Sequence, residues 1–461
     1  MKATIVGGGI GGLVAARRLL DLRPDASITM IERDTKVGGL LAGGHYGPES
    51  VYFDTGTHIS QETGVEGVDQ FLQSCVPAED LIVYTPPHGD VSGAVFAGVF
   101  QANSHFPDLR GHKALDAISA AVRSHIDAGI TTQPMQRTSA LADQVRFRFG
   151  ADYSDKVLLP RLAEIYGVAA DELCAFALEL PGVTRVIIDE LDAWVLRAAG
   201  DEVYRAVIGI PDQTRLPATF RHGRRSYYSR RNGSSSFMLG AAENLRADDV
   251  SFRLGARIEK IDIDANSLIF SDSSGSVEID HDVLILATGI MPAAAMLGLD
   301  LRSFAFDRPL KHQVFHMVLP EAAKTECYYA YNLDHAGWYR FTNYPAFSGD
   351  NADRRLTVEV LGEHAGEPEG IAAEILADLF AKGLLNSVEG VMVGHAVLPS
   401  GFPRPTTKNF ASLAAVRAAV TENLPSNVML GGVATGRDAF FQNEVVMAIY
   451  NGLPEFLDQN S

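Results

Sequence analysis

The sequence has few cysteines, three in 461 residues. Cys75, Cys174 and Cys327 are widely spaced and odd in number, so they form neither a disulfide framework nor a zinc ligand set. Histidines, cysteines and carboxylates do not cluster at metal-ligand spacing elsewhere in the sequence, and we therefore predict no metal site. The shortage of cysteine pairs favours a reducing cytoplasm as the location of the protein.

Long hydrophobic runs are also missing. The most apolar stretch, residues 283–299, is interrupted by Thr288, Gly289 and Pro292 and is shorter than the roughly 20 residues that a spanning helix needs. An apolar strand pattern begins directly after Lys2, which predicts no secretory signal. We therefore expect a protein that does not insert into a membrane.

Basic residues are in the minority. The chain has 39 lysines and arginines against 57 aspartates and glutamates, which gives a formal net charge of −18. Such a surface repels polyanions at long range, so nucleic acid is excluded as the main partner. Apolar residues make up 46% of the chain and charged residues 21%, a composition that excludes wholesale disorder. The length predicts two domains, or one large domain with an insert.

The glycine-rich start of the chain indicates a dinucleotide-binding fold. Residues 3–6 are typical of a buried parallel strand, and a helical pattern follows the glycines. Gly7, Gly9 and Gly12 match the G-x-G-x-x-G spacing, which permits a tight turn, close approach of a pyrophosphate and close packing of the helix. A second strand ends at Glu32, where a carboxylate can accept a hydrogen bond from a ribose 2′-hydroxyl.

The residues around and after Glu32 narrow the choice of dinucleotide. A carboxylate instead of a basic side chain argues against a ligand with a 2′-phosphate. The loop that leads to Gly38 and Gly39 resembles that of the two-dinucleotide-binding flavoproteins, and this resemblance implies one bound FAD. No cysteine or histidine stands in a recognisable attachment motif, so we expect the FAD to be bound non-covalently. The predicted cofactor-binding residues lie in glycine-rich turns or at strand and helix ends: Gly7, Gly9, Gly11, Gly12, Glu32, Arg33, Gly38, Gly39, Gly289, Gly432 and Asn443.

Later segments fit the same fold. Residues 282–289 form an apolar strand with an Ala-Thr-Gly end, and residues 427–432 form another strand that ends in glycines. We predict an α/β fold, with a Rossmann-like FAD-binding domain that is discontinuous in sequence and a mixed α+β substrate-domain insert. The predicted FAD-binding domain comprises residues 1–60, 226–291 and 401–461. The predicted substrate domain, or cap, comprises residues 61–225 and 292–400.

The two inserted segments differ in their periodicity. The first has helical patterns, at residues 115–126, 140–149, 154–162 and 170–178. The second has strand patterns at residues 311–319, 356–360 and 390–397, together with a helix at residues 371–385. Inserts of this size are expected to cover the flavin ring and to shape the substrate cavity.

These pieces, in this order, resemble the amine-oxidase-like superfamily, which includes monoamine oxidases, protoporphyrinogen oxidases, carotene desaturases and UDP-galactopyranose mutases. The middle of the chain is most similar to the nucleotide-sugar mutases. Residues 53–59, which contain His58, resemble a segment whose histidine lies beside the flavin. The segments around Arg185 and Arg340 resemble those that carry two diphosphate-binding arginines.

The resemblance implies flavin N5 chemistry on a small anionic substrate, a nucleotide sugar, in a redox-neutral or oxidising reaction. A diphosphate carries about two negative charges, which a pair of arginine forks suits well. By resemblance, Arg185 and Arg340 hold the diphosphate and His58 is the catalytic residue beside the flavin. Tyr166 stands where the mutases have a tryptophan near the uridine, and it completes the predicted substrate site.

Two other functions stay open. An amine or C–C bond oxidase or desaturase passes hydride to FAD, and its cage is usually built by tyrosines where this chain has Phe440 and Phe441. A non-catalytic FAD-binding redox protein is the second alternative. Residues 221–231, with five arginines, form either a basic rim that steers an anionic substrate or a solvated face that offsets the acidic surface. The sequence leaves the oligomeric state open, a homodimer included.

Overall fold

The structure is a computed structural model, and it describes residues 1–89, 91–130, 135–221, 223–334, 337–350, 352–422, 424–436 and 439–460. Across these ranges, no helix combines the length and the apolar character needed to cross a membrane. Within the same ranges, no group of three or more histidine, cysteine or carboxylate side chains could hold a metal ion. Cys75, Cys174 and Cys327 are buried free thiols.

Five parallel strands form one sheet. In spatial order they are β10 (Ser251–Leu254), β2 (Ser27–Glu32), β1 (Lys2–Val6), β14 (Val283–Leu286) and β20 (Val428–Leu430). The inner strands β1 and β14 are apolar and buried because both faces of the sheet are covered. The carboxyl ends of all five strands lie at one edge, which is where ligands bind in open α/β sheets.

The two faces of the parallel sheet have different covers. Ala3 and Ile5 pack against three helices: α1 (Ile10–Leu22), α10 (Gly233–Ala247) and α15 (Gln442–Asp458). Val6 and Ile31 point to the opposite face. That face is covered by an antiparallel sheet and a helix: β11 (Arg257–Asp262), β12 (Ser267–Asp272), β13 (Gly275–Asp280) and α11 (Ile290–Met296), with α14 (Thr407–Glu422) beside α11.

A second, seven-stranded sheet is built from the inserted segments. In spatial order its strands are β19 (Val391–Val397), β15 (His312–Val318), β18 (Arg355–Leu361), β17 (Arg340–Asn343), β16 (Tyr329–Asn332), β7 (Ser92–Phe96) and β8 (Val99–Gln101). All neighbouring strands in this sheet are antiparallel, apart from the parallel pair of β16 and β7.

The two faces of the seven-stranded sheet differ in polarity. Phe315, Phe341 and Val358 point to one face and pack against α13 (Pro368–Ala381). Side chains alternate along a strand, so the neighbours of Val358 point to the opposite face. We call this opposite face the polar face, and across the register it carries His312, His316, Tyr329, Tyr331, Arg340, Thr342, Thr357 and Glu359.

A helical layer follows the first strands of the second sheet, and its apolar side chains form one core with Ala94, Phe96 and Tyr331 of that sheet. Its helices are α3 (Asp116–Asp127), α4 (Leu141–Phe149), α5 (Ala151–Tyr153), α6 (Leu159–Tyr166), α7 (Phe176–Glu179), α8 (Leu191–Ala198) and α9 (Glu202–Val207). Two helices lie elsewhere, α2 (Glu66–Ser74) and α12 (Tyr344–Ser348). Two small sheets complete the fold: β3 (Gly44–Tyr46) with β4 (Val51–Phe53), and β5 (Ser60–Gln61), β9 (Ser226–Ser229) and β6 (Leu81–Tyr84).

The helix predicted over residues 170–178 is wrong for most of its length. Only its end belongs to a helix, α7, because the residues before it form turns and two isolated β-bridges. Leu173 pairs with Thr406, and Cys174 pairs with Ala140. Tertiary pairing has thus overridden a helical pattern.

The strands of the two large sheets divide along the chain. Those of the parallel sheet lie within residues 1–60, 226–291 and 401–461, and those of the seven-stranded sheet lie within 61–225 and 292–400. The small sheet of β5, β9 and β6 joins the two groups of segments. The domain boundaries themselves stay a prediction.

Candidate cofactor and substrate site

The first glycine turn has no room for side chains. Gly7 has a φ of +110°, and a Cβ atom there would lie 2.9 Å from the carbonyl oxygen of Ala287. A Cβ atom on Gly12 would lie 1.9 Å from the carbonyl oxygen of Gly7. Glycine at these two positions is therefore what allows α1 to start directly against the end of β1.

A second glycine turn lies against the first and leaves a gap above them. The Gly38 N–H donates to the Gly8 carbonyl oxygen at 2.8 Å, and both Gly38 and Gly39 have positive φ. In the direction of a Cβ atom on Gly9, no described heavy atom lies within 4 Å. Exposed backbone N–H groups at a helix start, next to such a gap, fit the pyrophosphate of a dinucleotide.

Glu32 lies beside these turns, at the end of β2. Its carboxylate accepts hydrogen bonds from the Gly8 N–H at 2.6 Å and from the Asp34 N–H at 2.8 Å. This is the position at which the sequence predicts a contact with ribose. Arg33 differs from its neighbour: its side chain is 73% exposed and lies 3.4 Å from Asp34, so the structure gives it no buried role in the site.

The starts of α1 and α15 meet at the same edge of the parallel sheet. A Cβ atom on Gly11 would lie 2.9 Å from Ile449 and 3.3 Å from Val445, so this glycine allows the two helices to pack closely. Asn443 lies in the first turn of α15. Two helix N-termini, with their unpaired N–H groups, thus converge on the glycine turns.

Gly289 and Gly432 bring β14 and β20 together near the same edge. Both have a positive φ, close to +90°, and a Cβ atom on Gly432 would lie 2.5 Å from the Gly289 nitrogen. The Gly289 N–H donates to the Gly431 carbonyl oxygen at 3.2 Å. These two glycines therefore serve the packing of the strand ends that border the cofactor site.

Asp54 is a buried carboxylate at the start of α10. It accepts hydrogen bonds from the Ser234 N–H at 3.0 Å, from the Tyr52 hydroxyl at 2.8 Å and from the Tyr228 hydroxyl at 2.7 Å. Only 1% of the residue is exposed. The negative charge is thus stabilised by several donors and by the positive end of the helix.

The loop that follows Asp54 spans the space between the two large sheets. Thr57 forms a hydroxyl contact with Thr342, and a Cβ atom on Gly56 would lie 3.1 Å from the Glu359 carboxylate, so this part touches the polar face. Beyond it, Ser60 accepts a hydrogen bond from the Gln442 side chain at 3.3 Å, at the start of α15. The loop therefore places His58 between the edge of the parallel sheet and the polar face.

The surroundings of His58 favour its neutral form. Its Nε2 donates to the Thr55 carbonyl oxygen at 3.1 Å. Burial lowers the pKa of His58 below 6.5 and outweighs the opposing effect of the Asp54 charge, while the positive charge of Arg340 lowers the pKa further. A neutral imidazole in this position can accept or donate a hydrogen bond near a substrate.

Arg340 forms an ion pair with a buried carboxylate. Its Nε and Nη2 donate to the two oxygens of Glu359 at 2.7 and 2.9 Å, and its Nη1 donates to the Tyr331 hydroxyl at 3.2 Å. His312 Nε2 donates to Glu359 as well, at 3.1 Å. Burial by itself would raise the pKa of Glu359, but the charge of Arg340 and the hydrogen bond from His312 hold this pKa well below its ordinary value.

Arg185 lies in a different environment, near a second guanidinium group and an imidazole. Its guanidinium lies over the Phe106 ring at 5.6 Å, and no described carboxylate pairs with it. Burial lowers the pKa of Arg185. Arg148 lies close enough that burial and the charge of Arg185 lower its pKa to about 10, and burial and Arg185 likewise lower the pKa of His105 to about 4.

The two predicted arginines are related through the polar face. In the sheet register, Arg340 on β17 lies opposite Tyr331 on β16, and Tyr331 lies opposite Ala94 on β7. Two residues before Ala94, the Ser92 hydroxyl is 2.6 Å from Nδ1 of His105, which neighbours Arg185. The Arg340 and Arg185 environments therefore lie on one side of the sheet, and the strands β17 and β7 to which they belong or attach are two strand spacings, roughly 10 Å, apart.

Tyr166 is fully buried. Its hydroxyl donates to the Ala177 carbonyl oxygen at 3.1 Å, and its ring stacks on Phe402. A contact between Tyr166 and substrate would need these neighbours to move. The role proposed for this residue stays a prediction, and the structure places it within the core of the helical layer.

Phe440 and Phe441, near the start of α15, already pack against other side chains of the protein. Phe440 and Phe441 pack against Phe176, with ring centroids 4.9 and 5.7 Å apart. The Arg137 guanidinium lies 5.4 Å above Phe441 and 5.2 Å above Phe176. An internal cation therefore sits where a cage would bind an amine.

The arginines of residues 221–231 lie mostly at the surface. Arg225 forms an ion pair with Glu62, and Arg231 lies 3.6 Å from Asp80, so part of this charge is neutralised locally. His222 of this segment lies outside the described residues. These ion pairs favour the second interpretation of the segment, a solvated face that offsets the acidic surface, over a continuous basic rim.

Sequence reasoning missed Glu359, Asp54 and Arg148. A signal for the first was present, because Glu359 alternates with Val358 and Val360 in a strand that is otherwise buried. A charge at such a position needs a partner. The partner itself was not visible, because Arg340 and Glu359 meet only through the register of β17 and β18.

Comparisons with known proteins agree with this arrangement. The family profile described as the NAD(P)-binding Rossmann-like domain matches residues 5–74. A search of curated proteins finds no match. Among solved structures, the chain is similar to a reduced UDP-galactopyranose mutase, with a TM-score of 0.71 and 16% identity over 99% of this chain and 94% of that chain.

Two further structures are similar over nearly their whole length. A proposed protoporphyrinogen oxidase from Exiguobacterium sp. 255-15 gives a TM-score of 0.65 and 17% identity over 99% of both chains. Cyclohexylamine oxidase from Brevibacterium oxydans gives a TM-score of 0.60 and 12% identity over 98% of this chain and 99% of that chain. The chain has the fold that these solved structures share. The predicted α/β fold class is confirmed, and the prediction of FAD as cofactor agrees with this fold.

Proposed function

We propose that this protein binds FAD at the glycine turns and acts on a small polar anion of the nucleotide-sugar type. The gap above Gly9, the carboxylate of Glu32 and the converging starts of α1 and α15 support the cofactor. Bound FAD would supply the chemistry at flavin N5, either redox-neutral or oxidising. The residues of the chain would bind the substrate, orient it and exclude water.

The polar face is the observation that carries the substrate class. A hydrocarbon substrate would favour an apolar wall, whereas this face presents buried hydroxyl, imidazole, guanidinium and carboxylate groups opposite the His58 loop. Arg340, Glu359 and His312 hydrogen-bond to one another, and Arg340 keeps further N–H groups that these contacts do not use. A substrate rich in hydroxyl groups would accept hydrogen bonds from them. A sugar fits this requirement.

The anionic part of the substrate is inferred from Arg185. This guanidinium is largely buried, lacks a described carboxylate partner and lies near Arg148 and His105. Arg185 and Arg148 are both positive and repel each other in a low-dielectric setting, so they gain from a bound anion, and the imidazole of His105 adds a neutral hydrogen-bonding group. The diphosphate of a nucleotide sugar would provide one, with Arg340 on the central strand of the polar face and His58 between this sheet and the cofactor.

The amine-oxidase alternative is less well supported. An amine substrate needs a free aromatic cage, and the rings of Phe176 and Phe441 already hold Arg137. A non-catalytic redox protein has no need for the polar groups that face the His58 loop. A cytoplasmic location and a homodimer stay predictions, and sedimentation of the purified protein tests the second.

The decisive experiment compares substrate classes on the purified flavoprotein. Nucleotide sugars are offered to both the anaerobically reduced and the oxidised protein, and amines are offered to the oxidised protein. We expect an isomerised sugar without net flavin oxidation, or sugar oxidation with flavin reduction. Reduction of the oxidised flavin by an amine, with no effect of any nucleotide sugar, would contradict the proposal.

Arginine variants test the substrate contact directly. Arg185→Ala should raise the Kd for a nucleotide sugar by at least about tenfold, because a charge-assisted contact to the diphosphate is lost. Arg146→Ala is the matched control, since Arg146 is 49% exposed and pairs with Asp155 outside the site. The flavin absorbance spectrum should stay the same in both variants. If Arg185→Ala and the control bind the nucleotide sugar equally well, Arg185 does not contact the diphosphate.

A further inference from the structure

We propose that Glu359 makes the two arginines of the site unequal, so that Arg185 senses the charge of the substrate and Arg340 acts as a neutral hydrogen-bonding anchor. Glu359 would thus be a specificity-determining residue. This inference rests on the proposed function, because it concerns the same anionic substrate.

The geometry of Glu359 is that of a dedicated partner. Only 1% of the residue is exposed, and its carboxylate receives two parallel hydrogen bonds from Arg340. A third donor, Nε2 of His312, lies 3.1 Å away. A bidentate pair of this kind fixes the guanidinium plane as well as its position.

Charge cancellation follows from this pairing. The positive charge of Arg340 and the negative charge of Glu359 are in direct contact, so their fields largely cancel for a ligand more than a few ångströms away. Arg340 still offers N–H groups, and its Nη1 already donates to Tyr331 at 3.2 Å. Arg340 can therefore orient a ligand oxygen without attracting an anion from a distance.

Arg185 has the opposite character. No described carboxylate compensates it, and Arg148 adds a second positive charge nearby. The Nε of Arg148 donates to the Thr184 carbonyl oxygen at 3.1 Å, which holds this side chain beside the backbone next to Arg185. The net positive field of the site therefore comes from the Arg185 end of the polar face.

The salt dependence of binding separates the two roles. The probe is a nucleoside diphosphate, titrated into the holoprotein by calorimetry at several salt concentrations, with the parent nucleoside as the uncharged control. Arg185→Gln should weaken binding and flatten the dependence of log Kd on log salt concentration, because one charge contact is lost. Glu359→Gln should instead tighten binding roughly fivefold at low salt, because the charge of Arg340 is then uncovered.

A double variant guards against a folding defect in Glu359→Gln. Arg340→Gln with Glu359→Gln replaces a neutral ion pair by two neutral amides, so it should keep the wild-type salt dependence even where its affinity falls. Thermal melting and the flavin spectrum check that each variant is folded and loaded.

The outcomes distinguish this inference from the proposed function. If wild-type protein binds no nucleoside diphosphate at all, the proposed function fails and the inference falls with it. If it does bind one, and the double variant flattens the salt dependence as much as Arg185→Gln does, Arg340 senses charge and the inference alone is wrong. An unchanged or weaker affinity of folded Glu359→Gln at low salt would also overturn it.

Discussion

Gly9 and Gly12 lie in the same turn, but the structure requires glycine at these two positions for different physical reasons. A Cβ atom on Gly12 would lie 1.9 Å from a backbone oxygen, whereas a Cβ atom on Gly9 would meet no described atom within 4 Å. The φ of Gly9 is −76°, which any residue can adopt. Gly12 is thus needed by the fold, and Gly9 is needed only if a ligand approaches the backbone there.

This difference gives a matched pair of substitutions. Gly9→Ala should leave the apoprotein folded with a melting temperature close to wild type, but should weaken FAD binding by about tenfold or more, because the methyl group enters the space for the pyrophosphate. Gly12→Ala should lower the stability of the apoprotein itself, by more than about 2 kcal/mol, through the backbone clash. Melting of the apoproteins and fluorescence titration with FAD measure both effects. Normal FAD affinity in Gly9→Ala would place the cofactor elsewhere.

At the scale of elements, the start of α15 is tied to the helical layer by one arginine. Arg137 donates to both oxygens of Glu179 and, through Nη2, to Glu444 at 2.6 Å. The other oxygen of Glu444 accepts the N–H groups of Phe440 and Phe441, which caps the helix. Arg137 therefore holds in place a helix whose N-terminus borders the cofactor site.

Removal of Arg137 should loosen that helix start. Arg137→Ala leaves two partly buried carboxylates without their cation, and we expect a loss of about 1–3 kcal/mol in the free energy of unfolding. The comparison is Arg146→Ala, whose ion pair with Asp155 is exposed on both sides and should contribute about 0–1 kcal/mol. Urea unfolding of both variants measures the difference. A loss no larger than that of Arg146→Ala would mean that α15 is held by apolar packing alone.

For the whole molecule, the features that the sequence predicted are those made by residues close together in the chain, and the features it missed depend on residues far apart in the chain. The glycine turns, Glu32 and the strands of the parallel sheet were predictable because strand, turn and helix signals are local. The polar face was not, since β7 comes from residues 92–96 and β18 from residues 355–361, and only their register in one sheet brings Ser92 and Glu359 to the same side. Arg340 could be selected from its local resemblance, but its ion pair depends on the folded sheet.

The polar interior also sets how stability depends on pH. Burial lowers the pKa of His316 to about 4, and Nε2 of this side chain is buried with no hydrogen-bond partner among the described residues. Burial and Arg185 lower the pKa of His105 to about 4 as well. In the unfolded chain both histidines have a pKa of about 6.5. As the pH falls below that value, protons bind to the unfolded state first, so stability is full above about pH 6.5 and is lost between there and about pH 4.

Each of these histidines should contribute up to about 3 kcal/mol to that loss. His316→Gln and His105→Gln should therefore flatten the fall in the urea midpoint between pH 6.5 and pH 4, because neither variant has the proton uptake that favours unfolding. The slope in each variant is compared with wild type at matched salt, so that carboxylates common to all three proteins cancel. A slope as steep in both variants as in wild type would mean that these imidazoles are protonated in the folded protein, and that the interior next to the polar face is open to water.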